Sequence, residues 1–215
     1  MNPRSTTRSK PQPLRLRMKE EARTAILNAA EQVLAEQGIH AARMDDIAAR
    51  VGVSVGTLYN YFEDRKQLMA ALLDVRGREL RDMLDTELER SQGAPFRVRM
   101  HGFLRCILEH SRTHFQLFTL SLEDVLEHGI SSGEDVSRER TQSLELTRRI
   151  EHLTRQGVEE GALRPEDTRH YPTLLLSMLR GVLVRQFLEK QPVPVDELIS
   201  LLLRCFLDGA APRPR

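Results

Sequence analysis

The amino-acid sequence predicts an all-α protein of about nine helices, in which an N-terminal three-helix domain precedes a larger helical domain. Apolar residues recur at helical spacing along most of the 215 residues, and no stretch combines strand-like alternation with enrichment in β-branched residues. Glycine and proline interrupt the pattern and mark the helix boundaries. The length suits one compact unit, or a small domain joined to a larger one.

Proline and polar residues dominate the start of the chain, which has no apolar period. We therefore expect residues 1–17 to form a disordered basic tail. The first helix is expected over about 19–37, with Ile26, Val33 and Leu34 on its apolar face.

A helix-turn-helix pattern follows within residues 44–68. Apolar residues four apart give a helix over about 44–51 one inward face, and Gly52 ends it because glycine accepts a positive φ. Ser54 is placed to cap a second helix over about 55–62 by accepting a hydrogen bond from a backbone N–H of its first turn. The alternative is a plain helical domain with two tyrosines on its surface, but turn, cap and spacing agree with one another.

The outward side of this second motif helix combines methyl groups, hydroxyls and one amide, and it carries no charge. Such groups suit base edges and phosphate oxygens, because an amide pairs with adenine and a hydroxyl bonds to the DNA backbone. We therefore predict that this helix binds duplex DNA. The predicted base-reading residues are Val55, Gly56 and Asn60. The predicted contacts to the DNA backbone are Arg43, Ser54, Thr57, Tyr59, Tyr61, Arg65 and Lys66.

A family resemblance rests on the same segment. The residues that carry it are Ile47-Ala48, Gly52-Val53-Ser54, Gly56-Thr57-Leu58-Tyr59, Tyr61-Phe62 and Leu68. They resemble the signature of the TetR/AcrR family of bacterial transcriptional repressors over about residues 23–72. Beyond that segment the resemblance lies only in length and helical layout. It implies a homodimer that a small molecule releases from DNA.

The sequence departs from the family pattern at one position. The family usually caps the first motif helix with Thr, where this chain has Arg43. The carboxylates of Asp45 and Asp46 compensate for the missing Thr cap if they interact favourably with the positive end of the helix dipole. Arg43 is then free to reach a phosphate.

Five further helices are expected after a long one over about 65–90. Their ranges are about 95–111, 113–128, 134–160, 166–190 and 194–209. The last two carry more apolar residues than one core-facing stripe needs, so we expect them to pair with a second copy of the chain, with Gly181 allowing close approach. The alternative is that they are central helices of a monomer. The predicted interface residues are Leu175, Met178, Leu179, Val182, Leu198, Leu202 and Phe206.

Charge is unevenly distributed, although the formal net charge is only +1. Residues 1–66 hold 11 Lys and Arg against 8 Asp and Glu, whereas residues 67–215 hold 21 against 23. This polarity is expected of a DNA-binding head and a ligand-binding or partner-binding body. The basic residues of the tail either neutralise phosphates and enter a narrow minor groove, or are merely solvated. They are Arg4, Arg8, Lys10 and Arg15.

Cysteine content and hydropathy indicate the compartment. Cys106 and Cys205 lie in apolar helical contexts and are too few for a disulfide framework, so we expect buried thiols in a reducing cytoplasm, with a redox pair as the alternative. No apolar run has the length of a membrane span, and the N-terminus lacks the apolar region of a signal peptide. We expect a soluble cytoplasmic protein without a cofactor or a membrane partner.

A small-molecule pocket is expected among the helices between residues 65 and 190. Its predicted lining is His101, Phe103, Arg105, Ile107, His110, His114, Phe115 and Phe118, although the same spacing fits an ordinary helical core. His110 and His114 are four apart, as two metal ligands can be. We expect no metal, because no Cys pair or HExxH motif accompanies them and a helix break near 111–113 would separate the rings.

These observations lead to one predicted function. No nucleophile elbow, phosphate-binding loop or dinucleotide fingerprint indicates an enzyme. The predicted domains are a tail over 1–17, a DNA-binding domain over 18–64 and a ligand-binding and dimerisation domain over 65–211. We expect a repressor that binds a palindromic operator as a homodimer and is released by a small-molecule inducer. The alternatives are a DNA-processing enzyme with a helix-turn-helix and a helical partner-binding protein.

Overall fold

The computed structural model describes residues 13–117, 134–188 and 193–210. Within these ranges the chain forms α-helices and one 3₁₀ helix (Pro165–Asp167), and it forms no strand, so the all-α prediction is confirmed. The helices are α1 (Leu14–Gln37), α2 (Met44–Val51), α3 (Val55–Tyr59), α4 (Arg65–Arg90), α5 (Phe96–Thr113), α6 (Glu134–Glu159), α7 (Tyr171–Leu188) and α8 (Val195–Ala210). Most of the helix expected over about 113–128 lies outside the described residues.

Helix α1 begins at Leu14, five residues before the predicted start, so residues 14–17 are helical and do not belong to a disordered tail. Pro13 precedes this helix with φ −53°, and the Leu, Arg, Met, Lys and Glu residues that follow favour helix. Hydrophobic periodicity did not predict the helix before residue 19, because the side chains there do not pack against the core. Leu14 is 69% exposed, and the buried residues of α1 begin only at Ile26. Arg4, Arg8 and Lys10 lie outside the described residues.

The chain divides into two compact units between Leu73 and Asp74. The first unit contains α1 to α3 and the first turns of α4, and the predicted boundary at residue 64 lies nine residues earlier. The most buried members of its core, each at most 2% exposed, are Ile26, Ala30, Val33, Leu34, Ala42, Ile47, Ala48, Leu58, Phe62, Leu68 and Leu72.

The second unit has a core of its own, which α5 to α8 and the later part of α4 surround. Its most buried members include Leu84, Phe96, Met100, Phe103, Ile150, Leu153, Leu175, Ile199 and Leu202. The ring of Tyr171 packs edge-on against that of Phe206, with centroids 5.6 Å apart, and its hydroxyl donates to the Arg164 carbonyl oxygen at 2.9 Å. None of the described helices combines the length and apolar character that crossing a bilayer requires.

Helix α7 begins at Tyr171, and residues 166–170 are not α-helical, contrary to the predicted helix over about 166–190. Pro172 explains the difference, because proline lacks the N–H that a helix interior needs and is accommodated in a first turn. The chain before it turns through the 3₁₀ helix, in which the Thr168 N–H donates to the Pro165 carbonyl oxygen at 3.3 Å.

Most of the residues predicted for a dimer interface are buried inside the chain itself. This holds for Leu175, Leu179, Leu198, Leu202 and Phe206, while Met178 and Val182 are half-buried. Both helices carry apolar residues on two sides, and most of the residues predicted for the interface lie on the side that faces the chain's own core. Among the described side chains of these two helices, Leu174 (53% exposed) and Leu201 (42% exposed) face outward.

Candidate DNA-binding site

The turn between α2 and α3 is built on Gly52. This residue has φ 81° and ψ 31°, a left-handed conformation that costs glycine little. The N–H groups of Gly52 and Val53 both donate to the carbonyl oxygen of Ala48, each at 3.0 Å. The predicted role of Gly52 in ending the first motif helix is confirmed.

Ser54 caps α3, as predicted. Its Oγ accepts a hydrogen bond from the Thr57 N–H at 3.1 Å and lies 2.8 Å from the Thr57 hydroxyl oxygen. Helix α3 ends at Tyr59 with Asn60 as its C-cap, so it is shorter than the predicted helix over about 55–62. The backbone beyond continues as a turn, in which the Phe62 N–H donates to the Leu58 carbonyl oxygen at 3.1 Å.

The two sides of α3 differ as the pattern predicted. Leu58 and Phe62 are 0% exposed, whereas Tyr59 is 48% exposed and Gly56 and Asn60 also face solvent. The other predicted contact residues of this segment, Val55, Thr57 and Tyr61, are half-buried. The surface of α3 therefore presents methyl, hydroxyl and amide groups without charge.

Gly56 has no structural need to be glycine. A Cβ atom built at this position would meet only the Ser54 Oγ, at 3.9 Å, which is an ordinary contact. Its φ is not positive, so the backbone does not require glycine either. The missing side chain leaves the backbone of α3 open to a close approach from outside the protein.

Carboxylates organise both helix starts beside α3. The Asp46 Oδ2 accepts a hydrogen bond from the Arg43 N–H at 3.3 Å, and the Arg43 side chain is exposed. At the start of α4, the Asp64 Oδ1 accepts from the Gln67 N–H at 2.6 Å. Lys66 lies next to this cap and is exposed.

Arg65 does not face outward as a phosphate contact would. Its Nε donates to the Ala42 carbonyl oxygen at 3.2 Å, and its Nη2 donates to the Ile39 carbonyl oxygen. Both acceptors lie in the loop between α1 and α2, and the Arg65 side chain is half-buried. No local pattern of residues indicates this role, because the acceptors are backbone atoms 23 and 26 residues away.

A second arginine links α1 and α2. The Arg50 Nη1 donates to the Glu36 Oε1 at 2.9 Å, and this hydrogen bond, with the charge of Arg50, holds the Glu36 pKa below its ordinary value. Arg23 lies over the Phe62 ring, with its guanidinium carbon 4.7 Å from the ring centroid. Neither contact was predicted, because each joins residues from different elements.

The residues that build this motif also carry the family match. Residues 26–72 match the sequence profile of the bacterial regulatory proteins of the tetR family. The chain belongs to the TetR family. The matched range runs from the first buried residue of α1 to the first turns of α4, so it covers the helix-turn-helix and its core.

Relatives extend the similarity of this TetR-family chain beyond the motif. It is 27% identical over 191 residues to the HTH-type transcriptional regulator YhgD of Bacillus subtilis, covering 88% of this chain and 96% of the relative. It is 28% identical over 196 residues to the HTH-type transcriptional regulator UidR of Escherichia coli, covering 88% and 93%. Its fold is similar to that of the transcriptional regulator FadR of Bacillus subtilis, whose structure was solved in complex with stearoyl-CoA. The TM-score is 0.69 and the sequence identity is 18%, and the match covers 86% of this chain and 98% of FadR. This TetR-family chain is therefore a helix-turn-helix transcriptional regulator.

The residues predicted to line a ligand pocket occupy different environments in the second unit. Phe103 and Ile107 are buried in its core, and His101 and Phe115 are half-buried, while Phe118 lies outside the described residues. Arg105 pairs instead with Asp196 of α8 and, at 3.1 Å, with Glu109. Arg105 thus joins α5 to α8 on the surface.

His110 and His114 lie closer together than expected. Helix α5 ends at Thr113, but the N–H of its C-cap residue His114 still donates to the His110 carbonyl oxygen at 3.0 Å, and the two ring centroids are 4.5 Å apart. Among the described residues, no group of three or more His, Cys, Asp or Glu side chains is arranged to hold a metal ion.

The two cysteines are less buried than predicted. Cys205 is exposed on α8, and Cys106 is half-buried on α5. Partial burial and the nearby carboxylates of Glu87 and Glu109 raise the pKa of the Cys106 thiol. The thiolate form of Cys106 is therefore disfavoured.

Arg99 is a buried cation of the second unit. Arg99 of α5 is 5% exposed, and its Nη1 donates to the side-chain oxygen of Gln156 on α6. Among the described residues, its Nε has no hydrogen-bond acceptor. A guanidinium with a neutral partner at this depth is an unusual element of an apolar core.

Proposed function

We propose that this TetR-family regulator is a repressor that binds a palindromic operator as a homodimer, with α3 of each subunit in the major groove. The observation that carries the proposal is the exposed, uncharged face of α3, held by the Gly52 turn and the Ser54 cap. In this proposal Val55, Gly56 and Asn60 read bases. The backbone contacts are Arg43, Ser54, Thr57, Tyr59, Tyr61 and Lys66.

In this proposal, DNA binding and ligand binding belong to different compact units of the chain. We assign DNA reading to the first unit, which includes Lys66 at the start of α4, and ligand binding with dimerisation to the second unit. Helix α4 is continuous from Arg65 to Arg90 and contributes to both units, which makes it the element through which a ligand changes DNA affinity. A coupling of about 1–3 kcal/mol between the two sites would lower operator affinity roughly 5- to 150-fold.

A second copy of the chain is the proposed partner of the α7 and α8 surface. Leu174 and Leu201 present exposed apolar side chains there, and a Cβ atom built at Gly181 would meet nothing within 4 Å. Two recognition helices reach successive major grooves only when a two-fold body holds them about 34 Å apart. A dimer built on α7 and α8 supplies such a body.

We propose an acyl-coenzyme A as the class of inducer. The similar regulator FadR binds stearoyl-CoA, and in this chain Arg99 offers a buried cation among apolar side chains to an anionic group. Stearoyl-CoA added to the protein–operator complex should release the DNA, whereas coenzyme A without an acyl chain should not. Arg99→Met should weaken this release, and DNA that stays bound at saturating stearoyl-CoA would contradict the assignment.

Retention of genomic DNA tests the regulatory function itself. The purified protein is incubated at near-physiological salt with fragmented DNA from its own source, and the retained fragments are sequenced. A two-fold symmetric sequence enriched near promoters is the expected result. Retention without a shared sequence would leave a non-specific DNA binder, and cleavage of the fragments in the presence of divalent metal would favour a DNA-processing enzyme.

A further inference from the structure

Arg65 is the point at which the loop between α1 and α2 is attached to the start of α4. The loop comprises residues 38–43, and its backbone makes few hydrogen bonds of its own. The Ala42 N–H donates to the Gly38 carbonyl oxygen at 3.3 Å, and the Arg43 N–H donates to Asp46. In the described residues, no backbone N–H of a turn, loop or cap donates to the carbonyl of Ile39 or Ala42.

The guanidinium of Arg65 supplies the donors that these two carbonyls need. Its Nε and Nη2 point to carbonyl oxygens of residues three apart, which suits the rigid fork of a guanidinium. The side chains of Ile39 and Ala42 are 7% and 2% exposed, so the loop lies against the core of the first unit. Moving Arg65 to a phosphate would break both of these hydrogen bonds, and the loss of hydrogen bonds from a charged group is costly.

This attachment fixes two parts of the proposed DNA surface relative to each other. The loop leads directly into Arg43 and the start of α2, and Arg65 itself opens α4 just after the α3 segment. The exposed side chains of Arg43 and Lys66 lie on the two elements that Arg65 connects. A rigid connection between them keeps α3 at a set orientation between its flanking phosphate contacts.

We propose that Arg65 is a positioning residue for operator recognition, which acts by holding the α1–α2 loop and makes no phosphate contact itself. The proposal rests on the proposed DNA-binding function. It predicts that a positive charge at residue 65 is not enough to hold the loop, because a lysine ammonium lacks the forked donors that bond both carbonyl oxygens. Arg65→Lys should therefore fail in the same way as Arg65→Ala.

The test measures operator affinity against salt concentration for wild type, Arg65→Ala, Arg65→Lys and the control Lys66→Ala, each checked to be folded. Both Arg65 variants should lose about tenfold or more in operator affinity, with the slope of log affinity against log salt unchanged. Lys66→Ala should reduce that slope by about one unit. A slope reduced by about one in Arg65→Ala and restored in Arg65→Lys would overturn the proposal.

Hydrogen exchange provides a readout that is independent of DNA. Amide exchange at Ala42 and Arg43 should accelerate in both Arg65 variants, while amides of the first unit's core away from the loop, such as that of Val33 in α1, keep their wild-type rates. Unchanged exchange at the loop would overturn the positioning role even if the variants bind DNA poorly. A wild-type protein that selects no common DNA sequence would remove the proposed function, and the exchange experiment would still decide whether Arg65 holds the loop.

Discussion

The Arg149 guanidinium on α6 donates two hydrogen bonds to the Asp85 carboxylate on α4, one from Nε to Oδ1 at 2.8 Å and one from Nη2 to Oδ2 at 2.7 Å. One turn earlier on both helices, the Arg81 Nε lies 3.1 Å from the Glu145 Oε2. The two ion pairs therefore occur in the same order along α4 and along α6. They tie the second half of α4 to the core of the second unit.

A double-mutant cycle with Asp85→Asn and Arg149→Met should give a coupling free energy of about 0.5–1 kcal/mol, measured by urea unfolding. The value is modest because the Asp85 side chain is 51% exposed and solvent screens the pair. A coupling of zero within error would show that the two-bond geometry contributes nothing to stability.

The same pair predicts a pH dependence. The hydrogen bonds and charge of Arg149 hold the Asp85 pKa below its ordinary value of 3.8, so the unfolded chain takes up the proton more readily than the folded chain. The stabilisation is complete above the ordinary pKa and is lost as the pH falls through the lower value of the folded state. The unfolding free energies of wild type and Arg149→Met should therefore differ at about pH 6 and converge towards about pH 2. A difference that persists unchanged into acid would contradict this assignment.

Local signals explain what the sequence could predict. The turn at Gly52, the cap at Ser54 and the inward pair of Leu58 and Phe62 each depend on residues within four positions of one another, and all are present. The role of Arg65 was missed because its acceptors are backbone carbonyls far along the chain.

The sequence alone does not predict which side of α7 and of α8 packs against the core. Both helices carry leucines on two sides, and hydropathy alone does not tell which side a helix turns to its own core. Leu175 and Leu202 face that core, whereas Leu174 and Leu201, one position earlier in each helix, face outward.

Leu201→Glu should convert the proposed dimer into a monomer in sedimentation equilibrium at micromolar protein, because a charge would be buried without a partner in the interface. The fold should persist, since Leu201 is 42% exposed in the single chain. Leu144→Glu is the matched control, because Leu144 is an exposed leucine of α6, 55% exposed, outside the proposed interface. A Leu201→Glu protein that remains dimeric would place the interface elsewhere.

Asn60→Ala should lose roughly 1–3 kcal/mol of binding free energy on the selected operator while binding random duplex as the wild type does, because an amide contact to one base is removed. Competition titrations with both DNAs measure the two affinities. An equal loss on both DNAs would mean that Asn60 contacts the DNA backbone and does not read a base.

Gly56→Ala tests most directly whether α3 meets DNA through its exposed backbone. The added methyl group has room within the protein, so the free energy of unfolding should rise by about 0.5–1 kcal/mol, as it does when alanine replaces glycine in a helix. Gly209→Ala is the control, because Gly209 of α8 also has open space around a Cβ atom and lies in the second unit. We predict that Gly56→Ala alone lowers operator affinity by at least about tenfold despite its greater stability, corresponding to about 1.4 kcal/mol. An unchanged operator affinity in a stabilised Gly56→Ala protein would contradict the account.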